Sequence, residues 1–170
     1  MKQIVGIVID SLAFAREGRH LVGQLAVNDL PRVADVLADD ADDGDDLRGV
    51  LSCRLSGGRN DAGKLFLLVE VSGELRLKCQ RCLESLVLPL DIKSQVMLVP
   101  PGAPWPDESL ADDTADAVEA LAEQPVAALI EEEVLLALPV VPRHESCALP
   151  EGGDHDRRAA SPFAALARLK

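Results

Sequence analysis

Two short segments carry the side chains with the most chemistry to offer: Cys79-Gln80-Arg81-Cys82 and His144-Glu145-Ser146-Cys147. Each is a pair of ligand-type residues separated by two others. Thiolate sulfur and imidazole nitrogen are the donors that a tetrahedral zinc ion takes, and two such pairs supply four of them. Cys79, Cys82, His144 and Cys147 are therefore candidate ligands of a structural zinc. The pairs lie further apart than in a zinc finger. An ion held between them would fasten the strand around Cys79 to a distant segment and stabilise by closing a long loop. Two other readings stand beside this one. The residues are ordinary cysteines near a strand end with a surface histidine, or Cys79 and Cys82 form a thiol–disulfide pair. The redox reading lacks the βαβ context of a thioredoxin-like motif. It also needs a thiolate stabilised by nearby positive charge such as Lys78 or Arg81. Cys53 alternates with Leu51 and Leu55 and reads as a buried, structural thiol.

Arg76, Lys78, Arg81 and Lys93 gather positive charge on the strands flanking the first pair, and Arg143 immediately precedes the second. They are candidates for contacting phosphate or an acidic partner surface. Glu74, Glu84 and Asp91 dilute the charge, so an ordinary solvated sheet face is the alternative. No catalytic set accompanies them. There is no phosphate-binding loop, and no Ser/His/Asp constellation sits at a recognisable nucleophile turn. Glu131, Glu132 and Glu133 are consecutive, so on a helix they splay apart instead of facing one another, and they are expected to lie largely outside. The residues point to a protein that is not an enzyme and takes no small-molecule substrate.

The elements that must position these residues follow from periodicity. Leu30, Val33, Ala34 and Leu37 have helical spacing, with Pro31 in the first turn, and predict a short helix. From Leu51 the period becomes two. Leu51, Cys53 and Leu55 make one strand, with a turn at Gly57 to Asp61; Leu65, Leu67, Val69 and Val71 make the next, and Ser72-Gly73 offers a tight reversal. Leu75, Leu77 and Cys79 continue the alternation, and Leu86, Leu88, Leu90, Ile92, Val96 and Leu98 share one side of another long strand. Pro100, Pro101, Pro104 and Pro106 break regular structure. Pro125 then opens a helix containing Val126, Leu129, Ile130, Val134, Leu135 and Leu138, which Pro139 and Pro142 stop. The predicted fold class is α+β: an antiparallel sheet of about three to five strands packed against a long C-terminal helix, plus short helices. Residues 1–170 are expected to form a single domain, with acidic loops at 39–46 and 100–123. A flexible tail, 148–160, leads to a short C-terminal helix, 161–170. Ser161-Pro162-Phe163 supplies that helix with a cap and a proline at the first helical position, and Arg168 and Lys170 suit its C-terminal end. Its stripe of Phe163, Leu166 and Leu169 is expected to pack on the sheet or to dock a partner.

Composition narrows the function. With 170 residues, 48% of them hydrophobic, the chain can bury one aliphatic core. Three Phe, one Trp and no Tyr count against a single-strand nucleic-acid binder built on stacking platforms. A net charge of −12 rules out RNA binding by the whole surface, because such affinity comes from cations displacing counterions. Any RNA contact must be a local patch or pass through a protein. The N-terminus reads as lacking a secretory signal, and no apolar run approaches the ~20 residues of a membrane span. The expectation is a cytoplasmic protein with no membrane contact, its cysteines reduced or bound to metal.

Three blocks in order and spacing resemble the YceD family, described as the large ribosomal RNA subunit accumulation protein. They are Cys79-Gln80-Arg81-Cys82-Leu83-Glu84, the run from Leu129 to His144 (LIEEEVLLALPVVPRH), and the ending from Ser161 to Lys170 (SPFAALARLK). The resemblance runs from about the first helix to the C-terminus. It implies a role in the synthesis, processing or stability of 23S ribosomal RNA, with large-subunit ribosomal RNA or a ribosomal or assembly protein as partner. It implies no reaction. Some relatives carry a richer cysteine cluster after the long helix, where this chain has His144 and Cys147. The alternative function is a thiol-disulfide or metal-handling protein using Cys79 and Cys82.

Overall fold

The structure is a computed structural model and describes residues 3–37, 49–105 and 116–149. In chain order the elements are β1 (Val8–Ile9), α1 (Ser11–Arg16), β2 (His20–Ala26), a 3-10 turn (Val27–Asp29) and α2 (Pro31–Ala34). They continue with β3 (Val50–Arg59), β4 (Leu65–Lys78), β5 (Ser85–Val99), β6 (Asp116–Glu119), β7 (Gln124–Pro125) and α3 (Val126–Ala137). The class is the α+β class that the periodicity predicts.

Period-two patterning from Val50 onward becomes three long strands in an antiparallel meander. In register, Cys53 lies opposite Val71, and Val71 lies opposite Ile92. With β2 and β6 at the edges, the sheet order is β2-β3-β4-β5-β6. It is mixed, because β6 runs parallel to β5, with Met97 opposite Ala117. A second sheet of two strands pairs β1 with β7.

Three predicted features change, and one strand is not predicted. Ser72-Gly73 makes no reversal, and β4 runs unbroken through it. A Cβ on Gly73 would stand 2.8 Å from Leu51 Cδ2, so this glycine permits a close approach of β3. The turn predicted from Gly57 lies later, where the Gly63 N–H donates to the Asn60 carbonyl and the Lys64 N–H to the Asn60 side chain. Gly57 itself lies in β3, against the backbone of α1; a Cβ there would come within 2.6 Å of the Phe14 carbonyl oxygen and the Ala15 Cα. The 100–123 stretch is not all loop, since β6 lies within it. The Ala120 N–H donates to the Val99 carbonyl and anchors that edge. Finally, β2 escapes the periodicity because Gly23 and Gln24 interrupt its apolar pattern. The predicted loop at 39–46, the residues from 150 onward and the helix at 161–170 lie outside the described residues.

One face of the sheet is buried. Leu25, Leu55, Val69, Leu75 and Val96 meet Phe14 of α1, Val33 of α2, and Val126, Leu129, Ile130 and Val134 of α3. Each such side chain contributes ~1.5–3 kcal/mol by leaving water. The glutamates of α3 correct another expectation. Glu132 is exposed, but Glu131 and Glu133 are buried. Glu133 follows Val126, Leu129 and Ile130 on one helical stripe, so the helical period turns it inward. Glu131 is drawn in by α2. One carboxylate oxygen accepts the backbone N–H groups of Arg32 (2.7 Å) and Val33 (3.4 Å), and the other accepts Arg32 Nε at 3.0 Å. Those amides are unpaired donors at a helix start, and α2 has no side-chain cap of its own. A glutamate about a hundred residues away supplies it.

Candidate metal centre

Three contacts hold the end of β4, one from the chain beyond α2 and two from the chain that leaves α3. Leu37, just beyond α2, bridges to Leu77. The Gln80 N–H donates to the Pro142 carbonyl at 2.8 Å, and Arg81 Nη1 reaches the Cys147 carbonyl at 3.4 Å. Pro139 and Pro142 keep this segment from continuing the helix, and it passes the end of β4 as irregular chain with bends.

The turn after β4 is closed by its own backbone. The Leu83 N–H donates to the Cys79 carbonyl and the Cys79 N–H to the Glu84 carbonyl, both at 2.9 Å. The Arg81 N–H points at Cys79 Sγ, 3.4 Å away. To close the turn, Leu83 takes φ +66°, the one positive value at a non-glycine among the described residues. A leucine in this region costs ~1–2 kcal/mol. Such strain persists only where the surroundings over-determine it, and it gathers at functional sites.

The result is a cluster. The Sγ atoms of Cys79, Cys82 and Cys147 and a ring nitrogen of His144 all lie within 4.8 Å of one another. Cys79 and Cys147 stand 3.8 Å apart, and Cys82 Sγ is 3.3 Å from His144 Nδ1. Zinc–ligand bonds of ~2.3 Å to sulfur and ~2.0 Å to nitrogen place donors at tetrahedron corners roughly 3.5–3.8 Å apart, so these separations already suit an ion. On the far side of the ring, His144 Nε2 is 3.2 Å from the Ser85 carbonyl. That carbonyl can only accept, so Nε2 carries the proton and the Nδ1 lone pair faces the thiols. A backbone acceptor that sets the tautomer is the usual outer partner of a metal-binding histidine.

Electrostatics divide the thiols. Burial opposes ionisation of Cys79, but hydrogen bonds from the backbone at Cys82, Arg81 and His144, with the Cys82 thiol, prevail and lower it to about 5. For Cys82 the backbone at Glu84 pulls downward. Desolvation and the neighbouring Cys79 and Cys147 sulfurs outweigh that pull and raise it. Sulfurs this close share protons as a group unless a cation neutralises them. Cys53 stands apart in the core, 2% exposed; burial alone pushes its thiol up to about 11.

The basic candidates do not converge. Arg76 and Lys78 are exposed near the cysteine end of β4, and Arg143 is exposed beside His144. Arg81 is half-buried and turned to Cys147. Lys93 pairs with Glu70 at 3.8 Å, and Glu70 also faces Arg54. Glu70 and Arg76 are six residues apart on β4, ~20 Å along the strand, so Lys93 belongs to a separate patch in which it and Arg54 share Glu70. Sequence reasoning missed the Ser85 carbonyl and the conformation of Leu83. A backbone acceptor leaves no mark in a sequence, and no glycine follows Cys82 to flag the turn.

Residues 67–170 match the model of a family described as Large ribosomal RNA subunit accumulation protein YceD. The match starts within β4, later than the predicted helix around residues 30–37 from which the resemblance runs, and contains all four residues of the cluster. No curated protein and no solved structure matches the chain.

Proposed function

The chain belongs to the YceD family, on a match that covers more than half of its 170 residues, and from that premise we propose that it is a non-enzymatic factor supporting 23S ribosomal RNA synthesis, processing or stability during large-subunit biogenesis. We propose further that Cys79, Cys82, His144 and Cys147 hold a structural zinc that fastens the end of β4 to the segment after α3. The observation that carries the zinc reading is the four-donor cluster with its histidine already oriented by Ser85. Zinc is the ion of choice for three thiolates and an imidazole in a tetrahedral set.

A thiol-disulfide role for Cys79 and Cys82 is less well supported. A low pKa suits an attacking thiol, but Cys79 is 0% exposed and out of reach of a substrate disulfide. A stabilised, buried thiolate beside two more sulfurs is what a resident cation needs.

The partner is large-subunit ribosomal RNA or a ribosomal or assembly protein. A charge of −12 requires any phosphate contact to be a local patch, and the exposed cations by the cluster, Arg76, Lys78 and Arg143, with half-buried Arg81, offer one. It equally suits a basic ribosomal protein held before assembly. The experiment is affinity capture from cell lysate with and without ribonuclease, reading both RNA and protein. Enrichment of 23S ribosomal RNA or large-subunit precursors supports the reading, and ribonuclease sensitivity separates an RNA contact from a protein one. Capture of redox enzymes with no ribosomal material overturns it.

A further inference from the structure

The stripe of Phe163, Leu166 and Leu169 is expected to pack on the sheet or to dock a partner, and the buried face of that sheet is already covered by α1, α2 and α3. An apolar hollow remains elsewhere. The exit of α2, the end of β4 and the C-terminal end of α3 enclose a groove of about 510 Å³, with Val36, Leu37, Leu77, Leu135, Leu138 and Val140 on its walls. Val140 is 99% exposed and Val36 45%. Apolar surface gathered in one concave place, with Asp35 and Lys78 at its rim, marks a docking site more often than a monomer's bare skin.

We infer that the groove is the seat of the chain's own C-terminal segment, residues 163–169. Reach is the first argument. The described chain stops at Leu149, which lines the hollow beside Cys82 and Cys147. Gln80 and Pro142, hydrogen-bonded to each other, line the groove, and each is two residues from a residue of that hollow, Cys82 and His144. From there residues 150–162 provide thirteen residues. They span at most ~45 Å when extended and ~20 Å on average as a coil. A tether of that length presents its end at an effective concentration on the order of millimolar, so a weak contact suffices.

Composition is the second argument. Residues 38–48 begin beside the groove but carry six aspartates, and residues 106–115 carry four acids and a single leucine. Neither can fill an apolar hollow. Phe163, Leu166 and Leu169 recur at three-residue steps, a spacing that would put them on one side of a helical turn.

Hydrogen–deuterium exchange on the full chain tests this. In the wild type, residues 35–37, 77–80 and 135–142 should be protected. The triple variant Phe163→Ala, Leu166→Ala, Leu169→Ala should exchange several-fold faster in all three stretches. Val140→Asp, at a side chain wholly in solvent and so no threat to folding, should speed exchange within 163–169 several-fold. Groove exchange that is the same in the triple variant and the wild type overturns the inference. Protection that weakens on dilution, with a doubled mass by light scattering, overturns it in favour of a second copy. Protection of 163–169 that appears only when isolated large-subunit particles are added overturns it in favour of a ribosomal partner.

Discussion

Replacing Glu131 tests whether one buried carboxylate joins α2 to α3. In Glu131→Ala the backbone amides of Arg32 and Val33 lose the oxygen they share, and Arg32 Nε loses the other. A lost helix cap costs ~1 kcal/mol. Leaving an N–H unsatisfied in a site as closed as Val33, which is 0% exposed, adds ~1–3 kcal/mol. The ion pair itself adds ~1 kcal/mol at most, because half of the Arg32 side chain is in water. These terms overlap, and the expected loss is about 3 kcal/mol. Glu131→Gln keeps an acceptor for the Arg32 amide but gives up the charge, so roughly half that loss is expected. Arg32→Ala keeps its backbone amide and should cost under ~1 kcal/mol. Urea unfolding measures the series, with a constant m-value as the check that the transition is the same in each variant. Two results would refute the reasoning. One is Glu131→Ala within ~0.5 kcal/mol of wild type, the ordinary range for surface changes. The other is Arg32→Ala costing as much as Glu131→Ala, which would make the ion pair, not the cap, the source of stability.

Zinc at the cluster should appear at one equivalent per chain by native mass spectrometry, and a strong chelator should lower the melting temperature of the wild type but not of Cys82→Ser. Because the raised Cys82 thiol must give up its proton to bind, zinc affinity should climb with pH; a flat profile would remove Cys82 from the ligand set. Leu83→Gly should raise stability by ~1 kcal/mol through relief of the positive φ, and a loss of that size by urea unfolding would show that the leucine side chain matters more than the strain. Burial raises the Cys53 thiol from 9.0 to about 11, so its contribution is full below pH 9 and is lost as pH rises toward 11. The difference is on the order of 2–3 kcal/mol. Stability measured across that range should fall more steeply in the wild type than in Cys53→Ala, and equal slopes would contradict the assignment.

Much of this protein is written in local pattern. Alternation at Leu67, Val69 and Val71 commits those side chains to one face of a strand, because the strand period is two wherever the strand lies. Pro125 and Pro139 bracket α3 for reasons internal to the backbone. Cys53 between Leu51 and Leu55 was legible as a core thiol by the same alternation. The ligand types of the cluster were legible too, since thiol and imidazole chemistry travels with the residue, and the two-residue spacing fits a single turn.

What only the tertiary structure decided are relations between distant residues. Nothing near Glu131 in sequence says that its charge is needed at the start of α2, ninety-nine residues away, so periodicity left it in solvent. The parallel pairing of β6 with β5 depends on how the chain returns across the sheet, and a strand of four residues, Asp116–Glu119, carries too little alternation to announce it. The unbroken course of β4 through Ser72-Gly73 follows from the neighbouring strand, which takes the space a side chain would need. The meeting of Cys79 and Cys82 with His144 and Cys147 is the same kind of fact. Spacing fixes each pair, but only the crossing of the post-helix segment over the end of β4 brings their donors within bonding distance of one ion, because that closeness belongs to the packed chain and not to any stretch of it.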